Sequence, residues 1–253
     1  MGVCFIGDEF RSRDDCVLCS KNGETSLVER SIRSESSLHG DIVEADFVDA
    51  YQNLTLKSLC ILQWVTQHCS TATYLLKADS DMYVNVPLLV QALESATRSR
   101  RKTRHVTAGT DNKGNGDDDV MFILGSANRG GVRPIRSSGH KWFVPRDEFP
   151  ARSYPPYVDG GGAYAMTSSA AAAIRGVSPY VDLVRLEDVY VTGLCAGRAG
   201  VELVNHAGFS SRKLDISNMT SSSFSKQITA SQYSPREIRD VHRAFVEWRR
   251  RGR

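Results

Sequence analysis

Apolar, strand-like segments alternate with helix-like ones along these 253 residues, which predicts an α/β domain built on a largely parallel or mixed sheet. Three observations carry that prediction. Residues 73–78, Thr-Tyr-Leu-Leu-Lys-Ala, form the short apolar run expected of a buried central strand. Helical segments flank it on both sides in sequence. Hydrophobic residues make up 41% and charged residues 24%, enough apolar surface to build a core.

In chain order, residues 3–6 read as a short strand ending at Gly7. Residues 8–39 are polar and turn-rich, with one short helix expected near 29–38, and residues 41–47 read as extended. A helix begins at Asn53 or Leu54, with the Asn53 side chain as cap, because its oxygen can accept from a first-turn N–H. Leu59, Leu62 and Val65 recur at three-residue steps towards Cys69 and define its buried face. The central strand 73–78 runs into Asp79-Ser80-Asp81, and residues 82–84 continue as an extended piece. Pro87 suits the first turn of a helix with apolar Leu88, Leu89, Ala92, Leu93 and Ala96. Residues 105–108 and 120–124 are expected strands around an exposed loop at 111–119. An alanine-rich helix is expected at 168–175, a second opening within 186–196, a strand at 201–204, and a mobile Ser/Thr/Asn/Gln-rich stretch at 215–232.

Bulk properties exclude some function classes. A net charge of +3 is too small to imply a nucleic-acid partner, and the basic runs 98–104 and 249–253 read as solvated faces or ends. No apolar run spans a bilayer, and the first residues lack the basic and long apolar regions of a signal peptide. The six cysteines permit disulfides without establishing them; Cys16-Val17-Leu18-Cys19 is half a zinc site with no second half.

The carboxylates stand out next. Asp79 and Asp81 follow a strand directly, and in open α/β sheets ligands bind beyond strand carboxyl ends. Hard oxygen ligands there suit Mg²⁺ or Mn²⁺, which also hold substrate phosphates; an ordinary loop pair is the competing reading. Asp117-Asp118-Asp119 follows Gly and Asn residues and reads as solvated loop. Glu187-Asp188 precedes an apolar run, so it is either a helix start favoured by the macrodipole or a general base. His206, after the strand at 201–204, is either structural or a ligand. Tyr154-Pro155-Pro156-Tyr157-Val158-Asp159-Gly160-Gly161-Gly162 is either a rigid turn or a wall along which a ligand lies close to backbone, its tyrosines stacking on sugar faces. Trp142 is likewise a core aromatic or a sugar platform.

These pieces occur in one order that resembles glycosyltransferase family 31, the β-1,3-galactosyl- and β-1,3-N-acetylglucosaminyltransferases. Residues 47–58, Phe-Val-Asp-Ala-Tyr-Gln-Asn-Leu-Thr-Leu-Lys-Ser, are similar to the family's F-x-D-x-Y-x-N-L-T-x-K-[TS]. Trp64 and Cys69 match W-x₄-C, and Lys77 to Asn85 match K-x-D-x-D-x-[FY]-V-N. Lys141-Trp142-Phe143-Val144-Pro145, Tyr154-Pro155-Pro156-Tyr157 and Gly160-Gly161-Gly162 resemble later blocks. Residues 187–195 resemble E-D-V-Y-[VT]-G-x-C with one extra residue between Val191 and Gly193, and His206-Ala207-Gly208-Phe209 resembles H-x-G-F.

The resemblance implies a GT-A-type fold with a mixed central sheet flanked by helices. It implies an inverting hexosyltransferase that moves galactose or N-acetylglucosamine from a UDP-sugar to a glycan acceptor in β-1,3 linkage, with Mn²⁺ or Mg²⁺ as cofactor. By similarity Asp79, Asp81 and His206 hold the metal; Asp79, Lys77 and Ser80 serve the nucleotide-sugar; Asp188, with Glu187 second, is the base. Trp142, Tyr157, Gly161 and Gly162 face the acceptor or sugar. The expected divisions are 1–34, a poorly matching segment with one strand; 35–212, the catalytic core; and 213–253, a loop and helix. Family members are Golgi-luminal proteins of protein glycosylation with a membrane anchor and a stem, and this sequence starts near their second strand, so anchor, stem and first strand are expected to be missing. Disulfides at Cys69 and Cys195 are implied by the luminal setting. A catalytically impaired sugar- or partner-binding remnant of the same fold is the competing function. Asn53-Leu54-Thr55 and Asn218-Met219-Thr220 have the form of N-glycosylation acceptors.

Overall fold

The structure, a computed structural model, describes residues 2–7, 27–40, 42, 47, 50–107, 120–159, 162–213 and 226–251. A five-stranded sheet lies at its centre. Its strands are β1 (Gly2–Gly7), β2 (Ala72–Ala78), β5 (Ala163–Thr167), β4 (Phe122–Gly125) and β6 (Glu202–Asn205), in that spatial order. β1 and β2 are parallel, as are β4 and β6, and β5 runs antiparallel between β2 and β4. The sheet is therefore mixed, as expected. A small second sheet pairs β3 (Tyr83–Val84) with β7 (Thr229–Ala230).

Strand alternation sorts the side chains onto two faces. Leu75, Ile123, Tyr164 and Met166 meet α2 (Leu54–His68), α4 (Ser168–Val177) and the segment 189–196 on one face. Tyr74, Leu76, Phe122, Leu124 and Ala165 meet Leu89, Leu93 and Ala96 of α3 (Val86–Thr107) on the other. Each fully buried Leu, Ile, Phe or Met among these stabilises the fold by roughly 1.5–3 kcal/mol. The carboxyl-terminal helix α6 (Pro235–Arg251) covers the small sheet through Val241 and Phe245. The other α-helices among the described residues are α1 (Leu27–His39) and α5 (Ala196–Arg198). No described helix is long and apolar enough to cross a membrane.

Several expectations need correction. Residues 105–107 are the last turn of α3, not a strand; Ala108 and the loop at 111–119 lie outside the described residues. Extending a formed helix costs little, so it outcompetes the local β-propensity of His-Val-Thr. Arg100 is not a free surface charge: its guanidinium meets Glu202 of β6 at 2.8 and 2.6 Å and lies over the Phe122 ring. Asn53 does sit at the start of α2, but its side chain makes no capping bond. Instead Asn85 caps α3, its Oδ1 accepting from Leu88 N–H at 3.4 Å. Of the stretch expected to be mobile, residues 226–232 are ordered: β7 pairs with β3, and Ile228, Thr229, Ala230 and Ser231 are buried. No disulfide is formed among the described residues by Cys60 or Cys195, and burial pushes the Cys195 thiol up to about 11. The sequon at Asn53 is closed, since Thr55 is buried with its hydroxyl donated to Val184 O at 2.7 Å; Asn218 lies outside the described residues.

Candidate active site

The topology brings the carboxyl end of β2 beside the amino end of β5, with Ala78 opposite Ala163 and Lys77 opposite Tyr164. Beyond β2 the chain turns through Asp79-Ser80-Asp81, with Met82 N–H bonded to Asp79 O at 3.1 Å. Three backbone bonds pin this turn. Asp79 N–H donates to Gly162 O at 2.9 Å, Tyr233 N–H to Asp81 O at 3.1 Å, and Asn85 N–H to Ile228 O at 2.7 Å. Gly162 adopts φ +109°, and a Cβ there would lie 2.5 Å from Asp79 Oδ2. Only glycine allows β5 to approach the carboxylate so closely.

A cavity of about 680 Å³ opens over this turn. Lys77, Asp79, Asp81, Trp142, Tyr157 and Gly162 line it, together with Glu187 and Asp188 from the far wall. Sequence-predicted candidates thus meet in one place across more than 100 residues of chain. Ser80 is exposed and is not among the lining residues, nor is His206; Gly161 lies outside the described residues. His206 Nδ1 instead accepts from Gly208 N–H at 3.0 Å and its ring stands edge-on to Phe209. Burial lowers the pKa of its imidazole. Among the described residues no three His, Cys, Asp or Glu side chains are close enough to hold a metal, so the expected Asp79–Asp81–His206 shell is not preformed. Two carboxylates in one cavity still match what Mn²⁺ or Mg²⁺ takes from a protein when substrate phosphates complete the coordination, and the glycine cradle at Asp79 fits that use.

Alternation along β2 puts Lys77 on the same face as Leu75, towards α2. There its ammonium lies 2.7 Å from Asp79 Oδ1 and 3.7 Å from Glu187 Oε2. Glu187 is buried and well supplied with donors: Oε1 accepts from Tyr164 OH at 2.5 Å and Ser58 Oγ at 3.0 Å. Its environment is that of an orienting carboxylate. Asp188 differs. Among the described residues its Oδ1 accepts only from the adjacent Val189 N–H, at 2.8 Å. Burial, then the neighbouring Glu187 charge, push its pKa up to about 7; the Val189 N–H and Lys77 oppose the rise and Asp159 adds to it. A carboxylate so raised is a stronger base than an ordinary one at neutral pH.

The rim is aromatic. Arg136 ties the Trp142 loop together by donating to the carbonyls of Val144, Pro145, Phe149 and Ala151 at 2.7, 2.8, 2.6 and 3.1 Å. That leaves Trp142 about half exposed at 53%, with neighbouring Lys141 over the Tyr51 ring at 4.6 Å. Trp142 thus stands at the cavity mouth and is not a core residue. Tyr154 lines the cavity with its hydroxyl buried and without a hydrogen-bond partner among the described residues. A buried donor left unpaired costs about 1–3 kcal/mol. Tyr154→Phe should therefore raise the melting temperature by a few degrees while weakening acceptor or donor binding, checked by thermal unfolding and by KM.

Tyr164, Ser58 and Tyr51 are site residues beyond the candidates that the sequence motifs name. The signal for Tyr164 was available only through pairing, because its contact with Lys77 depends on β5 lying antiparallel to β2. Ser58 could have been found from α2 facing that same side.

The family model described as Galactosyltransferase matches residues 17–207. Beta-1,3-galactosyltransferase 1 of Homo sapiens and of Mus musculus are each 34% identical over 225 residues, covering 88% of this chain and 61% of theirs. Beta-1,3-galactosyltransferase 5 of Pan troglodytes is 35% identical over 174 residues, covering 69% of this chain and 51% of that protein. The chain thus spans about three-fifths of the length of the first of these relatives. A crystal structure of a glycosyltransferase involved in the glycosylation of the major capsid of PBCV-1 aligns over 95% of this chain and 97% of that one, at 13% identity and a TM-score of 0.34, too low to bear on the fold. With most of its length under the family model, including β2, which leads into Asp79 and Asp81, and the helical turn that carries Glu187 and Asp188, the chain belongs to the galactosyltransferase family.

Proposed function

We propose that this chain transfers galactose from UDP-galactose to a sugar hydroxyl with inversion, giving a β-1,3 linkage, and that Asp188 is the base. The observation that carries the reading is the convergence of Asp79, Asp81 and Asp188 on one aromatic-rimmed cavity. The names of the relatives supply the choice of galactose and of the 1,3 linkage.

In the step, an acceptor hydroxyl oxygen attacks the galactose anomeric carbon. The bond from that carbon to the diphosphate oxygen breaks on the opposite side, and the hydroxyl proton passes to Asp188. Asp79 and Asp81 would hold a divalent cation, whose chemistry when bound is Lewis-acid stabilisation of the charge that develops on the departing UDP. Lys77, already seated between Asp79 and Glu187, adds positive charge on the same side and fixes the Asp79 carboxylate. Glu187, held by Tyr164 and Ser58, keeps Lys77 in place and raises the basicity of Asp188 by its own charge. Trp142, half exposed at the cavity mouth, is suited to stacking on a sugar, and Tyr157 lines the same cavity. The compartment that follows from this reading is the Golgi lumen, and the acceptor is a glycan of a glycoprotein or glycolipid.

The test is UDP release from UDP-galactose in Mn²⁺ with and without acceptors ending in GlcNAc or galactose. Release that depends on one of these acceptors is the expected result. Release indifferent to acceptor, or none with any, would count against transferase activity.

A further inference from the structure

The extra residue between Val191 and Gly193 has a place in the fold. Residues 187–198 form one continuous helix whose middle, Val189–Cys195, is a π-helix. At its start Tyr190 N–H bonds to Leu186 O in α-register; at its end Ala196 N–H reaches Val191 O, shared with Gly193 O; after it, Ala199 N–H bonds to Cys195 O in α-register again. A π-turn closes its hydrogen bond one residue further along the chain than an α-turn does. It therefore takes up one inserted residue without changing the facing of either end. A plain α-helix would rotate all that follows by about 100° per added residue. Val189, Tyr190 and Val191 before the insertion and Cys195 and Ala196 after it are all buried to within 1%. Both ends are locked in the core, and the bulge is where the added residue is accommodated.

That residue is Thr192, fully buried. Its hydroxyl donates to Asp188 O at 2.5 Å and accepts from Val158 N–H at 2.8 Å. Val158 belongs to the wall between Tyr157 and Asp159, both of which line the cavity. Gly193 lets the wall in beside it, since a Cβ there would stand 3.0 Å from Tyr157 Cβ and 3.3 Å from Pro156 O. One hydroxyl thus joins the backbone of the base to the backbone of the sugar-facing wall.

We propose that Thr192 is a positioning residue: lodged in the π-helix, it clamps the Asp188 turn to the Tyr157–Val158–Asp159 wall, so that base and sugar platform keep one relative geometry. The catalytic half of this proposal rests on the transferase reading; the clamp itself does not. Thr192→Val keeps the shape and removes the hydroxyl, Thr192→Ala removes it without adding a methyl should the valine variant fail to fold, and Thr192→Ser restores it. Two quantities are read: kcat and donor KM with UDP-galactose, and the hydrogen-exchange rate of the Val158 amide by NMR. Loss of the clamp should speed Val158 exchange by about fivefold or more, the equivalent of one net hydrogen bond. It should lower kcat by about 10- to 100-fold with KM within about twofold, the scale of a small misplacement of a reacting group. Thr192→Ser should return both to wild-type values. Unchanged Val158 exchange in Thr192→Val or Thr192→Ala overturns the clamp, whether or not the wild type transfers sugar. Faster exchange with an undiminished kcat overturns the positioning role. Absence of transfer by the wild type fails the transferase reading alone, and the exchange arm still decides the clamp.

Discussion

Asp188→Asn is expected to lower kcat by about 10²–10⁴-fold, the range a positioned general base contributes, while leaving UDP affinity by calorimetry unchanged. The amide keeps the shape and can still accept from Val189 N–H, so the loss isolates proton transfer. The pH dependence follows from the same residue. With its pKa pushed up to about 7 by burial and by Glu187, wild-type kcat should rise as pH passes through 7 and level off above it. The residual rate of the asparagine variant should lack that rise. Stability runs the other way. The unfolded carboxyl titrates near 3.8 and the folded one near 7, so between those values the unfolded chain binds fewer protons. Stability contributed by the protonated Asp188 is full below about 3.8 and is lost as pH rises towards 7. Asp188→Asn should therefore melt several degrees higher than wild type at pH 8, with the gap closing towards pH 4. An equal or lower melting temperature at pH 8 would contradict the burial argument, independently of activity.

Gly162→Ala is the second large effect expected. At φ +109° an alanine is strained by about 1–3 kcal/mol. Its Cβ would also meet Asp79 Oδ2 at 2.5 Å and Cγ at 2.9 Å, so the carboxylate must move. Moving it disturbs the 2.7 Å pair with Lys77 and the alignment of Asp79 with Asp81. Turnover should fall by about 100-fold or more, and the Mn²⁺ concentration for half-maximal rate should rise. A folded Gly162→Ala protein with wild-type rate and metal dependence would show that the Asp79 position seen here is not the one used.

The sequence made the strand leading into Asp79-Ser80-Asp81 legible because a run of apolar residues ending in carboxylates has few other uses. It also separated this pair from the acidic triplet at 117–119 by what precedes each. The buried network behind the site was not legible. Lys77, Tyr164, Ser58 and Glu187 come from β2, β5, α2 and the turn before the π-helix, and only the antiparallel placement of β5 brings them together. Residues 105–107 misled for a local reason: β-branched and aromatic side chains favour strands in isolation, whereas here they end a helix of 22 residues already anchored by Arg100 on Glu202. The stretch 226–232 misled by composition. Thr229 and Ser231 are buried and Gln227 half-buried because hydroxyl and amide groups here bond to the 208–211 backbone, as with Ser231 Oγ on Ser211 O at 2.6 Å and Gln227 Nε2 on Gly208 O at 3.0 Å. The added residue at Thr192 was visible as a spacing anomaly; that a helix could absorb it without moving Asp188 was not.

The most direct test of the account is the structure of the product. Wild-type protein, UDP-galactose, Mn²⁺ and a GlcNAc-ended acceptor should yield a disaccharide whose galactose anomeric proton shows β-configuration by NMR, with the linkage at the 3-hydroxyl. In-line attack assisted by Asp188 requires that inversion. An α-linked product would contradict the account.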